Sequence, residues 1–270
     1  MVRARRTLPT MERSIDAVEL LDGPLEDPAA LVANLRDLRR INRWLGGASL
    51  SAVAIDALAA HRPELTLLDV GTGGADIPLA LLERARARGR RLSVVAIDSR
   101  PEILAAALRS RPAIGATEGL ELHVGDGLAL PYPDRSFDVA HASLVLHHCA
   151  PESAVTLLRE MARVARLGVV VNDLHRGRLG WSGAWLLGHL LTGNRYTRHD
   201  APLSVRRAYL AGEMAGLLRE AGLTPVRTIR GALGQRYAIA ALPSPDLADR
   251  GAQPDPHGAE AWGRPTGFGE

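Results

Sequence analysis

The chain has 270 residues, 46% of them hydrophobic, and 33 basic against 30 acidic side chains give a net charge of +3. That length and apolar content support one large α/β domain with insertions, or two small domains. The mild positive balance, carried by arginines interleaved with acids, excludes the dense basic stripe of a nucleic-acid binder. A single cysteine, Cys149, excludes an internal disulfide and a cysteine-based zinc cage. It fits a cytoplasmic protein, as does a basic Met1–Thr10 stretch with no apolar segment after it. The longest apolar run, Leu179 to Leu191, is too short for a membrane span and contains Gly and His.

Taken in chain order, residues 1–22 read as a partly ordered arm. Asp27-Pro28 starts a helix, with Asp as N-cap and Pro at the first helical position. Leu31, Leu35, Leu38 and Leu45 then recur at helical spacing. A second helix spans Leu50 to His61, and the two together predict a cap over residues 1–62. Leu65 to Val70 is a continuous apolar run, as expected of a strand buried on both faces. Strand and helix then alternate: helix 76–88, strand 92–97, helix 101–109, strand 120–124, strand 137–146, helix 152–165 and strand 168–171. This alternation predicts a parallel sheet with right-handed crossovers. Residues 172–204 break the rhythm and read as an insertion covering the site. A helix over 203–221 and two strands, 225–229 and 237–241, joined at Gly231 to Gly234, complete a domain over 63–242. From 243 to 270 the Pro, Gly, Asp and Ala content predicts a disordered tail.

The first strand ends in Asp69-Val70-Gly71-Thr72-Gly73-Gly74, and a helix follows. Glycines there let the backbone turn tightly and approach a ligand, at the carboxyl edge of the strands where open α/β sheets bind. A dinucleotide fingerprint would place a third glycine where this chain has Asp76. A carboxylate at a helix start disfavours a pyrophosphate and suits a sulfonium or an amino group. Asp98 ends the second strand, where an acid can accept hydrogen bonds from both ribose hydroxyls. Asp126, in Gly125-Asp126-Gly127 after the third strand, can meet an adenine amino group.

This ordered set of acids at three successive strand ends resembles the class I S-adenosylmethionine (SAM)-dependent methyltransferases, within the branch of ubiquinone and menaquinone biosynthesis. The resemblance covers about residues 65–241. It implies a Rossmann-like, seven-stranded, mostly parallel sheet with helices on both faces and a final antiparallel hairpin. It also implies SAM as cofactor, with Asp69, Gly71, Gly73, Asp98, Asp126 and Gly127 as its binding residues.

The fourth strand leads into Leu146-His147-His148. A phenol or amine acceptor needs a base, and His suits that role near neutral pH; His147 also matches the place of the catalytic His in phenol O-methyltransferases. Asp173 and His175, at the end of the fifth strand, are further candidates to orient a hydroxyl or take its proton, or else bond the start of the insertion. Arg198-His199-Asp200 reads either as reaching the cleft or as a solvated turn capping a helix near Ser204. Trp181 and Trp185 wall an apolar pocket or pack the insertion. The fourth strand ends without an acid, so no metal is expected. The expected function is methyl transfer to a small hydrophobic or aromatic molecule, O-methylation of a phenol first and C-methylation of a quinol precursor second. A non-methylating SAM-binding cyclase and an NAD(P)-dependent oxidoreductase are the remaining alternatives.

Overall fold

A computed structural model describes residues 11–59, 62–190 and 192–244. Seven strands form one sheet: β1 (Glu64–Val70), β2 (Arg91–Asp98), β3 (Leu120–Val124), β4 (Phe137–Ser143), β5 (Ala165–Leu174), β6 (Leu223–Arg230) and β7 (Arg236–Pro243). Their order is β3-β2-β1-β4-β5-β7-β6, with β1 to β5 parallel and β7 antiparallel to both neighbours. Successive crossovers add β2 and β3 on one side of β1 and β4 and β5 on the other, and this switch leaves between β1 and β4 the crevice where α/β sheets bind ligands.

Central strands carry no polar–apolar alternation because both faces are covered. Leu67, Leu68, Val139, Ala140, Val169, Val170 and Val171 are all fully buried, and each large one contributes about 1.5–3 kcal/mol by leaving water. On one face lie α1 (Pro28–Trp44), α2 (Gly47–Ala59), α3 (Asp76–Ala87) and α4 (Pro101–Ser110); on the other lie α5 (Pro151–Val164) and α8 (Ala211–Glu220). The Asp27 carboxylate accepts from the Ala30 amide and caps α1, as the Asp-Pro pair predicts.

Two elements differ most from the sequence reading. β4 ends at Ser143 instead of running to Leu146, because Leu144 is left-handed (φ 59°) and starts a 3-10 turn over Leu146–His148. The helix expected over 203–221 is two helices, α7 (Arg195–Arg207) and α8, parted at Ala208–Leu210. Asn194 caps α7 by accepting from the Tyr196 and Thr197 amides, and the helix continues through Pro202. Arg198, His199 and Asp200 therefore lie inside a helix and not in a solvated turn. α6 (Arg178–Leu190) precedes α7.

The hairpin at Gly231 to Gly234 is present, closed by the Gly231 amide on the Arg236 carbonyl. Of the expected tail, Pro243 closes β7 and the Ser244 amide donates to the Gly222 carbonyl; the remainder, like residues 1–10 of the arm, lies outside the described residues. Among the described residues no helix is long and apolar enough to cross a membrane.

Candidate cofactor and acceptor site

The glycine loop is built by backbone conformations that side chains resist. Gly71 has φ 68°, and a Cβ there would stand 2.4 Å from Val145 Cγ2. Gly71 therefore lets the loop pack on the turn after β4. Gly73, at φ 55°, faces open space within 4 Å of its missing Cβ. Beside it, the buried Thr72 hydroxyl has no hydrogen-bond partner among the described residues, an unmet demand that a bound polar ligand would satisfy. Asp98 reaches across from β2: its Oδ2 accepts from the Gly73 amide at 3.0 Å and its Oδ1 from the Arg100 amide at 3.0 Å. Each carboxylate oxygen keeps a second lone pair for a ligand hydroxyl. Burial raises the Asp98 carboxyl above its ordinary value, against the pull of these two amides. An open glycine, an orphaned hydroxyl and a carboxylate with spare acceptors fit a ribose and an amino acid moiety.

The other expected cofactor residues occupy different positions. The Asp69 carboxylate is buried and accepts from His141 Nδ1 at 2.6 Å, so it is held by a side chain of β4. Asp126 is exposed, and its Oδ1 accepts from the Leu128 amide at 2.9 Å. Gly127 is required by packing, since a Cβ there would stand 2.8 Å from both Leu157 Cδ1 and Val70 Cγ1. Asp76 receives the Asn42 amide at 3.0 Å, and burial raises its carboxyl.

Behind the loop runs a buried polar network that the sequence reading missed. His141 Nε2 lies 2.8 Å from the Ser51 hydroxyl, which accepts from Asn172 Nδ2 at 2.7 Å. Asn172 Oδ1 accepts from Arg236 Nε at 2.6 Å, and Arg236 Nη1 donates to Asn42 Oδ1 at 2.6 Å. Arg236 is 1% exposed, and burial lowers its guanidinium to about 10. The chain of contacts joins the cap helices to Asp69 at one end and to Asp76 at the other. The one sequence signal for it is His141, a polar residue inside an otherwise apolar strand.

At the carboxyl ends of β4 and β5 the structure joins His147 to Asp173. His147 Nδ1 lies 2.7 Å from Asp173 Oδ1, and the His147 amide donates to Oδ2 at 3.1 Å. Burial opposes the Asp173 charge, yet His147 and the Leu174 amide hold its carboxyl below the ordinary value. His147 is 2% exposed, because the arm folds over it. Leu20 to Asp22 forms a 3-10 turn whose Leu20 and Leu21 amides bind the Asp200 carboxylate of α7 at 2.8 and 3.1 Å. Glu19 Oε1 comes to 3.9 Å from His147 Nε2. Asp22 binds His148 Nδ1 at 2.9 Å and also pairs with Arg207. Arg100 donates to the Leu21 and Gly23 carbonyls, so the arm crosses from the end of β4 to the end of β2. Nothing in the arm's sequence pattern signals this.

His175 is not part of that group. It stacks edge-on against Tyr237 at 6.2 Å, and burial lowers its imidazole, helped by Arg230. In the segment expected to cover the site, α7 touches the arm and the turn bearing His148. α6 instead leaves Leu179, Trp185 and Leu190 exposed, with Trp181 half-buried.

Residues 68–171 match the Methyltransferase domain family. The ubiquinone/menaquinone biosynthesis C-methyltransferase of Rickettsia akari is 36% identical over 72 residues, 27% of this chain and 29% of that protein. The chain thus aligns with less than a third of the length of such relatives. A SAM-dependent methyltransferase from Aquifex aeolicus has the same fold, with a TM-score of 0.56 at 18% identity, covering 80% of this chain and 98% of that one. Human N-acetylserotonin methyltransferase, solved in complex with SAM, gives a TM-score of 0.59 at 16% identity, covering 86% of this chain and 63% of that one. The matched segment, residues 68–171, spans β1 to β5 of the sheet, and over it the chain is similar to a methyltransferase domain.

Proposed function

We propose that the protein transfers a methyl group from SAM to an oxygen of a small aromatic or polyketide-like phenol. The observation that carries the cofactor half is the cradle of Gly73, the orphaned Thr72 hydroxyl and Asp98. Bound SAM supplies an electrophilic methyl on a sulfonium, whose departure as a neutral thioether needs little help beyond alignment. Asp98 accepts the ribose hydroxyls, the Thr72 hydroxyl meets the amino acid moiety, and the exposed Asp126 is left for the adenine amino group. Asp69 and Asp76 act from behind, fixing the loop through His141 and Asn42.

The acceptor half rests on the His147–Asp173 pair. The Asp173 carboxylate accepts a hydrogen bond from His147 Nδ1–H, which fixes the imidazole with Nε2 as the free base; the tautomer follows from that contact. Asp173 is thus a positioning residue. His175, packed on Tyr237, has no part in this proton path. For a phenol to reach Nε2, the Glu19 to Asp22 turn has to lift from it.

The test is incubation with SAM and a panel of phenols, read as S-adenosylhomocysteine and as product mass. No turnover across the panel, with intact SAM binding, counts against O-methylation. C-methylation of a quinol precursor is the second reading, favoured by the C-methyltransferase matched over 72 residues. It predicts a methylated ring carbon.

A further inference from the structure

The arm and the turn after β4 bring three ligand-type side chains together: Glu19, His147 and His148, with their donor atoms all within 4.8 Å of one another. Both imidazoles are oriented in the same way. His147 Nδ1 is engaged by Asp173 and His148 Nδ1 by Asp22. Each therefore turns Nε2 toward Glu19, at 3.9 Å from its Oε1 and Oε2 respectively. A carboxylate on the far nitrogen of each ligating histidine is the arrangement that fixes ring and tautomer around a metal. Glu19 is 2% exposed, and its Oε1 has no hydrogen-bond partner among the described residues. Its other oxygen accepts from the Ser204 hydroxyl at 2.9 Å.

Charge points the same way. Carboxylates of Glu19, Asp22, Asp173 and Asp200 gather here, against the guanidinium groups of Arg207 and Arg13. Arg207 Nη1 stands 3.5 Å from Glu19 Oε1 and is also bonded to Asp22. The four carboxyl groups outnumber the two guanidinium groups, an excess that a divalent cation offsets.

We propose that Glu19, His147 and His148 form a binding site for a divalent transition metal of the zinc class, which fastens the arm across the end of the sheet. Two imidazole nitrogens and one carboxylate suit zinc, which binds them at about 2.0–2.2 Å. Tetrahedral ligands at that radius stand about 3.4 Å apart, so donor atoms 3.9 Å apart, and all within 4.8 Å, have to close by between about 0.5 and 1.4 Å on the ion. The sequence reading expected no metal because β4 ends without an acid. The acid comes instead from the arm, more than a hundred residues away. The metal and a phenol proton would compete for the same nitrogen, so His147 is a base only in the metal-free protein.

The test is independent of methyl transfer. Full-length protein stripped with EDTA is titrated with Zn²⁺ against a chromogenic chelator, and with Co²⁺ for its visible ligand-field band. One equivalent bound, with that band, is expected. Glu19→Gln and His148→Ala should each abolish the tight site, and Asp22→Asn should weaken it about 10–100-fold through its hold on His148. His148 is part-exposed, so its removal leaves a folded protein to measure, checked by circular dichroism. No stoichiometric uptake by the wild type, or uptake unchanged in folded His148→Ala and Glu19→Gln, overturns the proposal.

Discussion

Replacing Arg236 tests whether the buried network holds the cofactor loop in place. Its guanidinium makes three hydrogen bonds, to Asn172 Oδ1, Asn42 Oδ1 and Ser143 Oγ, at 2.6, 2.6 and 2.8 Å. Arg236→Ala leaves two amide oxygens unpaired in residues 0% and 7% exposed. A buried acceptor left without a donor costs about 1–3 kcal/mol. The half-buried Ser143 hydroxyl can turn to water and adds little. Two such acceptors cost about 2–6 kcal/mol together, before the packing of the lost stem is counted. Domains of this kind hold only about 5–15 kcal/mol in total, so the midpoint of urea unfolding should fall by about an eighth or more with the slope unchanged. Arg236→Met separates the causes: it restores the apolar stem but not the donors, and should recover a minor part of the loss. Because Asn42 also binds Asp76, both variants should weaken SAM binding in calorimetry below the temperature of unfolding. A stability loss under about 1 kcal/mol in both variants would refute the reasoning.

Asp98→Asn removes the charge facing the ribose while keeping the shape, and should weaken SAM about tenfold or more by calorimetry, since bonds to charged groups are worth about 1.5–3 kcal/mol. Gly73→Ala should cost about 1–2 kcal/mol for its left-handed backbone and lower SAM affinity further, because the methyl enters the open side of the loop. Asp138 is held below its ordinary value of 3.8: burial opposes its charge, but the Thr66 amide and Arg166 outweigh it. A depressed carboxyl stabilises above its unfolded value and loses that contribution as the pH falls through the folded one. Wild type should therefore exceed Asp138→Asn in stability at pH 7, and the gap should close below about pH 4. Asp173→Asn should reduce turnover on phenols while leaving SAM affinity within about twofold, because it touches His147 and not the loop.

The fold was legible because the sheet is buried on both faces. Uninterrupted apolar runs such as Leu65 to Val70 cannot be half-exposed strands, and their alternation with helices dictates the parallel order. The place of Asp98 beside the glycine loop was legible because it follows from position at a strand end. The bond from His141 to Asp69, expected as a cofactor-binding acid, was not legible, because it joins two strands that are distant in the chain. The arm was not legible at all. Glu19 and Asp22 sit in a short 3-10 turn with no periodicity, and their partners, His148, Ser204 and Arg207, come from distant elements. Pro202 also concealed α7, since a proline interior to a helix reads as a boundary.

The polar network has a consequence for how the chain can be divided. Residues 1–62 read as an accessory to a self-contained domain, yet Ser51, Asn42 and the Gly47 carbonyl complete the hydrogen bonding of His141, Arg236 and Asn172. Cut away at β1, the sheet would expose those groups as an unmatched polar scar on its inner face. The two cap helices are therefore not interchangeable with those of another protein of this fold. A chimaera could fold only if the borrowed cap brought its own hydroxyl and amide to the same places, and inheritance of the cap and of β4, β5 and β7 is expected to be linked.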